Sequence, residues 1–179
     1  MTETQTESRF NLSGKGALIT GGGGLLGPEH AIGLARWGAN IVLLDIEELG
    51  LQNARERVLE QMPNAEIETI VGDITSEEGL IHLKNNLEEK GSPIDVLVNN
   101  AALNPKMMEH KGKKSGSVED YDMEFWEREL KVGITGNFLC CKIFGHAMAL
   151  RGKGSIVNIA SDLAIQAPDQ RVYSLTGKI

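Results

Sequence analysis

A chain of 179 residues, 41% apolar and 24% charged, has room for one well-packed domain and not two. A net charge of −7 opposes phosphate backbones and anionic lipid, which argues against nucleic acid or a membrane as partner. The polar start MTETQTESRF holds no apolar signal core, and no run approaches transmembrane length, so the expected location is cytoplasmic.

Residues 1–11 read as a solvated, flexible tail and residues 12–179 as the folded domain. The apolar run Ala17-Leu18-Ile19-Thr20 predicts a first strand, broken by Gly21-Gly22-Gly23-Gly24. Small and apolar residues at helical spacing predict a helix from Leu25 to Trp37, with Pro28 in the first turn, where its missing N–H costs nothing. Gly33 inside that helix implies close backbone packing, since it sacrifices ~1 kcal/mol of helix propensity. Ile41-Val42-Leu43-Leu44 is the second strand, ended by Asp45 and followed by a charged helix over about 47–62 that Pro63-Asn64 stops.

Ile67 to Val71 and the turn Gly72-Asp73 lead to a helix over about 76–90, with Ser76 and Glu78 as cap and acidic first turn. Pro93 introduces the strand Asp95-Val96-Leu97-Val98-Asn99. Residues 103–120 are loop-like and include the basic cluster Lys106 to Lys114, which has no interleaved aromatics. A long helix over about 123–150 precedes a fifth strand, Ser155-Ile156-Val157-Asn158-Ile159. Apolar runs alternating with helices, each run apolar on both faces, predict an α/β fold with a doubly wound parallel sheet.

The chemistry concentrates in Thr20-Gly21-Gly22-Gly23-Gly24-Leu25-Leu26-Gly27, between the first strand and the first helix. Glycines at 21, 24 and 27 permit a tight turn, close approach of a pyrophosphate and close helix–strand packing, and the helix start supplies N–H groups for the phosphates. Asp45 follows Gly27 by eighteen positions, at the end of the second strand. A carboxylate there accepts ribose hydroxyls and repels a 2′-phosphate, which favours NAD over NADP. The plain alternative for Asp45 is a strand-terminating helix cap. The adjacent pair Cys140 and Cys141 predicts a reduced compartment with no structural disulfide. His30, His82, His110 and His146 have no metal-ligand spacing, so no metal site is expected.

The glycine-rich turn, Asp45, Gly72-Asp73-Ile74 and Asn99-Asn100-Ala101-Ala102, in that order, resemble the short-chain dehydrogenase/reductase family over residues 10 to about 170. The resemblance implies a Rossmann-like fold and a cofactor site of Gly21, Gly24, Leu25, Leu26, Gly27, Asp45, Ile46, Asp73, Ile74, Asn100, Ala101 and Ala102. It places Asp73 against the adenine and Asn100-Ala101-Ala102 beneath the cofactor ribose. The commonest family turn has its middle glycine one position later, where Leu25 stands.

Hydride transfer between nicotinamide and a carbonyl or alcohol is the implied reaction, on a small-molecule substrate. In the family a serine orients the substrate oxygen, and Ser161 matches it; its alternative role is that of a polar residue closing a strand. The family's acid/base tyrosine is followed four residues later by a lysine that lowers its pKa. Tyr173 has Gly177 at that position and Lys178 one residue too far, so it reads as a loop residue. Gly133 stands where the family often has an asparagine, with Asn137 one helical turn on.

Segments such as Ala160-Ser161-Asp162-Leu163 and 168–173, with Asn104-Pro105-Lys106 and Asp120-Tyr121, resemble a bacterial subgroup linked to flagellin and surface-sugar modification. That subgroup implies a sugar-derived substrate and a later catalytic tyrosine. The resulting expectation is a domain incomplete at its C-terminus, its sheet truncated after the fifth strand, and a homo-oligomer in full-length form. The alternative is a truncated, catalytically silent dinucleotide-binding module.

Overall fold

The computed structural model describes residues 10–103, 121–162 and 165–166. Strands β1 (Gly16–Thr20), β2 (Asn40–Asp45), β3 (Ile67–Val71), β4 (Ile94–Asn99) and β5 (Ser155–Asn158) form one parallel sheet in the order β3-β2-β1-β4-β5. Helices α1 (Gly27–Ala35), α2 (Glu48–Gln61) and α3 (Glu77–Glu89) connect the first four strands, and α4 (residues 123–150) leads into β5. The order reverses beside β1, so the fold is the doubly wound α/β arrangement that the sequence predicts.

The twofold period of the strands sorts their side chains into two cores. Leu18, Val42, Leu44 and Leu97 pack with Leu80, Leu87, Leu139, Ile143, Phe144 and Met148 from α3 and α4. Ala17, Ile19, Ile41, Leu43 and Val98 pack on the other face with Ala31, Ile32, Leu51, Ala54 and Val58 from α1 and α2. Burial on both faces is the reason these runs carry no polar alternation. Strand β5 differs: it is one of the two outermost strands among the described residues, and its Ile156 and Val157 are exposed.

Local signals account for the helix starts. Ser76 caps α3, its Oγ accepting from Gly79 N at 3.1 Å, ahead of Glu77 and Glu78. Asp122 caps α4 by accepting from Glu124 N at 2.9 Å. Pro28 sits in the first turn of α1, which begins at Gly27, two residues later than the sequence spacing suggests. Within α4 the α-helical turns alternate with π-helical segments at Lys131–Gly136 and Cys141–Gly145. Asn137, just past the first of them, donates from Nδ2 to Gly133 O within it at 2.8 Å.

One expectation requires correction. The helical Gly33 is not explained by close packing, because a Cβ there would meet nothing within 4 Å. At the start of the described residues the exposed Phe10 ring lies 5.3 Å from that of Trp37, and Leu12 N donates to Trp37 O. Residues 1–9, the basic cluster Lys106–Lys114 and His110 lie outside the described residues. No helix among the described residues is long and apolar enough to cross a membrane.

Candidate functional site

Parallel strands put all their C-terminal ends on one edge of the sheet, and each sequence-predicted site residue stands on that edge. Gly21 follows β1, Asp45 ends β2, Asp73 follows β3, Asn100 follows β4 and Ser161 follows β5. The crevice between β1 and β4, where the strand order reverses, is where such sheets take their ligands.

The turn after β1 is built from bare backbone. Gly21 has φ +63°, and a Cβ there would stand 2.8 Å from Ala101 Cα. Gly24 N donates to Gly21 O at 3.1 Å, which closes the turn, and Gly22 N donates to Leu44 O at 3.0 Å. A Cβ on Gly27 would fall 2.3 Å from Gly22 O, so the start of α1 lies directly on the turn. Leu25 and Leu26 are exposed between these glycines, just where the first helical N–H groups lack partners within the helix. A dinucleotide's pyrophosphate needs such a place: no side chain in the way, and N–H groups aligned with the helix dipole.

Asp45 reaches into this turn. Its Oδ2 accepts from Gly23 N at 3.0 Å and its Oδ1 from Glu47 N at 3.1 Å. The carboxylate therefore caps the approach to α2 and also grips the glycine turn. Each oxygen has lone-pair capacity left for a ribose hydroxyl. Ile46 beside it is exposed.

Asn100 lies under the turn and fastens it. Its Nδ2 donates to Thr20 O at 3.0 Å and to Gly21 O at 3.1 Å. Thr20 Oγ1 accepts from Asn100 N and Ala101 N, both at 3.1 Å. The residues expected to floor the ribose thus hold β1 to β4 as well. Ala102 is exposed next to them. The side-chain roles of Thr20 and Asn100 and the backbone role of Gly23 are not legible in the sequence, where the run of four glycines is the one signal pointing to Gly23.

Asp73 is exposed, its Oδ1 accepting from Thr75 N at 2.8 Å. Ile74 is buried in the core under α4, where a Cβ on Gly136 would stand 2.5 Å from Ile74 Cδ1. The Ile74 side chain therefore belongs to the core, which leaves its backbone as the part at the strand-end edge of the sheet. Together these features fit a dinucleotide: a bare turn, a helix start and a carboxylate at the end of β2.

Ser161 is exposed three residues beyond β5, and its Oγ donates to Asp162 Oδ1 at 3.3 Å. Tyr173, Gly177 and Lys178 lie outside the described residues. Tyr121 is remote in role: burial, a hydrogen bond to Glu129 and the Glu129 charge push its phenol up to about 12, the wrong direction for acid/base work at neutral pH. Beside Asn99, Nδ2 of which donates to Asn158 Oδ1 at 2.8 Å, Cys141 Sγ accepts at 3.2 Å. Cys140 is buried, and both thiols are free. Among the described residues no cluster of His, Cys, Asp and Glu could hold a metal.

The model of the short chain dehydrogenase family matches residues 15–176. An uncharacterized oxidoreductase of Thermotoga maritima is 34% identical over 165 residues, covering 91% of this chain and 60% of that protein. The crystal structure of an NAD+-bound xylitol dehydrogenase superposes with a TM-score of 0.73 at 32% identity, covering 93% of this chain and 60% of the other. A gluconate 5-dehydrogenase from Burkholderia cenocepacia, in complex with NADP and tartrate, gives a TM-score of 0.76 at 28% identity over 91% of this chain and 60% of that one. The chain thus spans about three fifths of the length of these relatives. By its sequence match and its fold, the chain belongs to the short-chain dehydrogenase family of oxidoreductases.

Proposed function

We propose that this chain forms the cofactor-binding part of an NAD-dependent oxidoreductase acting on a carbonyl/alcohol pair. The observation that carries the reading is Asp45, a carboxylate at the end of β2 held against the glycine turn by Gly23 N. At that place it accepts ribose hydroxyls and repels a 2′-phosphate, which supports NAD over NADP. Relatives bind either cofactor, NAD+ in the xylitol dehydrogenase and NADP in the gluconate 5-dehydrogenase.

A bound nicotinamide supplies or accepts the hydride. The chain's residues would do the rest: the N-terminus of α1 would hold the phosphates, Asn100 and Thr20 keep the turn in place, and Asp73 is the residue that the family resemblance assigns to the adenine. Ser161, with Asp162 accepting from its Oγ, is the group we assign to orienting the substrate oxygen. Relatives named for xylitol and gluconate support a polyhydroxylated, sugar-derived small molecule as substrate.

Calorimetric titration with NADH and NADPH tests the cofactor assignment. NADH is expected to bind at least about tenfold more tightly, a difference of ~1.4 kcal/mol. Equal affinity, or tighter NADPH, would overturn it.

A further inference from the structure

We infer that Gly50, in the first turn of α2, is a positioning residue for the dinucleotide turn and acts through the backbone of Gly23. The inference rests on reading that turn as the pyrophosphate site.

Gly23 and Gly50 meet backbone to backbone. A Cβ on Gly23 would stand 2.8 Å from Gly50 C and 2.9 Å from Leu51 N. A Cβ on Gly50 would stand 3.1 Å from Gly23 O and 3.4 Å from Gly23 Cα. A glycine near the start of a helix sacrifices propensity, and at Gly50 the gain is this close approach. Gly33 in α1 has no such neighbour, so the two helical glycines are not equivalent.

The contact has little slack. Leu51, Ala54 and Val58 are buried, so α2 is anchored in the core and cannot retreat. On the other side Gly23 N is tied to Asp45 Oδ2 at 3.0 Å. A methyl group on residue 50 therefore displaces Gly23 O, and with it the peptide leading to Gly24, whose N–H closes the turn on Gly21 O. The helix itself gains from the added methyl, because alanine is the better helix former. The net effect on stability should consequently be small, while ligand affinity falls.

The test is Gly50→Ala, with Gly33→Ala as the control in open space. Gly33→Ala is expected to melt at or above the wild-type temperature, and Gly50→Ala close to it, because the gain in helix propensity offsets the strain of the contact. Gly50→Ala should bind NADH and ADP-ribose about tenfold more weakly, by strain in an overpacked contact, and its Gly23 N–H should exchange faster with deuterium in the free protein. Gly33→Ala should match wild type in both readouts. NADH affinity of Gly50→Ala within twofold of wild type, with unchanged exchange at Gly23, would overturn the role of Gly50. A lower melting temperature with unchanged affinity would overturn it too. Failure of the wild-type protein to bind either ligand would instead refute the pyrophosphate reading.

Discussion

Asp45 Oδ2 accepts a hydrogen bond from Gly23 N at 3.0 Å, across twenty-two residues of chain. One carboxylate thereby couples the end of β2 to the turn after β1, while its other oxygen accepts from Glu47 N. The residue expected to choose between NAD and NADP also shapes the loop that receives the phosphates.

Replacing Asp45 separates these two duties. Asp45→Ala should weaken NADH binding and narrow the preference against NADPH, because both the ribose acceptor and the charge are lost. It should also cost ~1–3 kcal/mol of stability by leaving Gly23 N unpaired. Asp45→Asn keeps an acceptor for Gly23 and should retain most of that stability while still narrowing the preference. Titration with both cofactors, alongside urea unfolding, checks this; an unchanged NADH/NADPH ratio in both variants would defeat the assignment of Asp45.

Asn100 is expected to matter for stability before it matters for the ligand. Its amide donates to Thr20 O and Gly21 O, so Asn100→Ala leaves two half-buried carbonyls without their donor. A loss of ~1–3 kcal/mol follows, equivalent to roughly 2–4 °C in melting temperature for each kcal/mol in a chain of this size. Calorimetry showing an unchanged melting temperature would mean that water replaces the amide at no cost.

The helix over the other core offers a stricter test of packing. A Cβ on Gly136 would stand 2.5 Å from Ile74 Cδ1 and 2.7 Å from Ile74 Cγ1. Gly136→Ala should therefore destabilise by ~1–3 kcal/mol despite its better helix propensity. Ile74→Val removes Cδ1, costs ~0.5–1.5 kcal/mol alone, and should recover part of the Gly136→Ala loss when the two are combined. A double-mutant cycle additive to within ~0.5 kcal/mol would show that the two side chains are not in conflict.

Much of the architecture was legible because burial on both faces writes long apolar runs into the chain. The predicted Ala17–Thr20, Ile41–Leu44 and Asp95–Asn99 differ from β1, β2 and β4 by a residue or two at their ends. Caps were equally local: Ser76 and its acidic turn could be read from neighbouring letters. The grip of Asp45 on Gly23, the contact of Gly23 with Gly50 and the buried side chain of Ile74 could not. Each joins residues far apart in the chain and leaves no periodic trace. Gly33 is illegible for the related reason that a helical glycine looks the same in sequence whether its neighbour is close or absent.

Cys140 supplies a pH test that needs no ligand. Burial, with Cys141 beside it as the smaller cause, pushes its thiol from the ordinary 9.0 up to about 12. Below pH 9 folded and unfolded chains both hold the proton, and the stabilising effect of burying a neutral thiol is complete. Between pH 9 and 12 the unfolded chain has released that proton and the folded chain has not, so stability falls as pH rises, by about 1.4 kcal/mol per unit for one group. Cys140→Ala should be less stable than wild type at pH 7 by ~1 kcal/mol, from the lost packing, and should close that gap as pH climbs past 9. Urea unfolding of both proteins from pH 7.5 to 10.5 measures the convergence; parallel curves throughout that range would show that Cys140 titrates alike in the folded and unfolded chains.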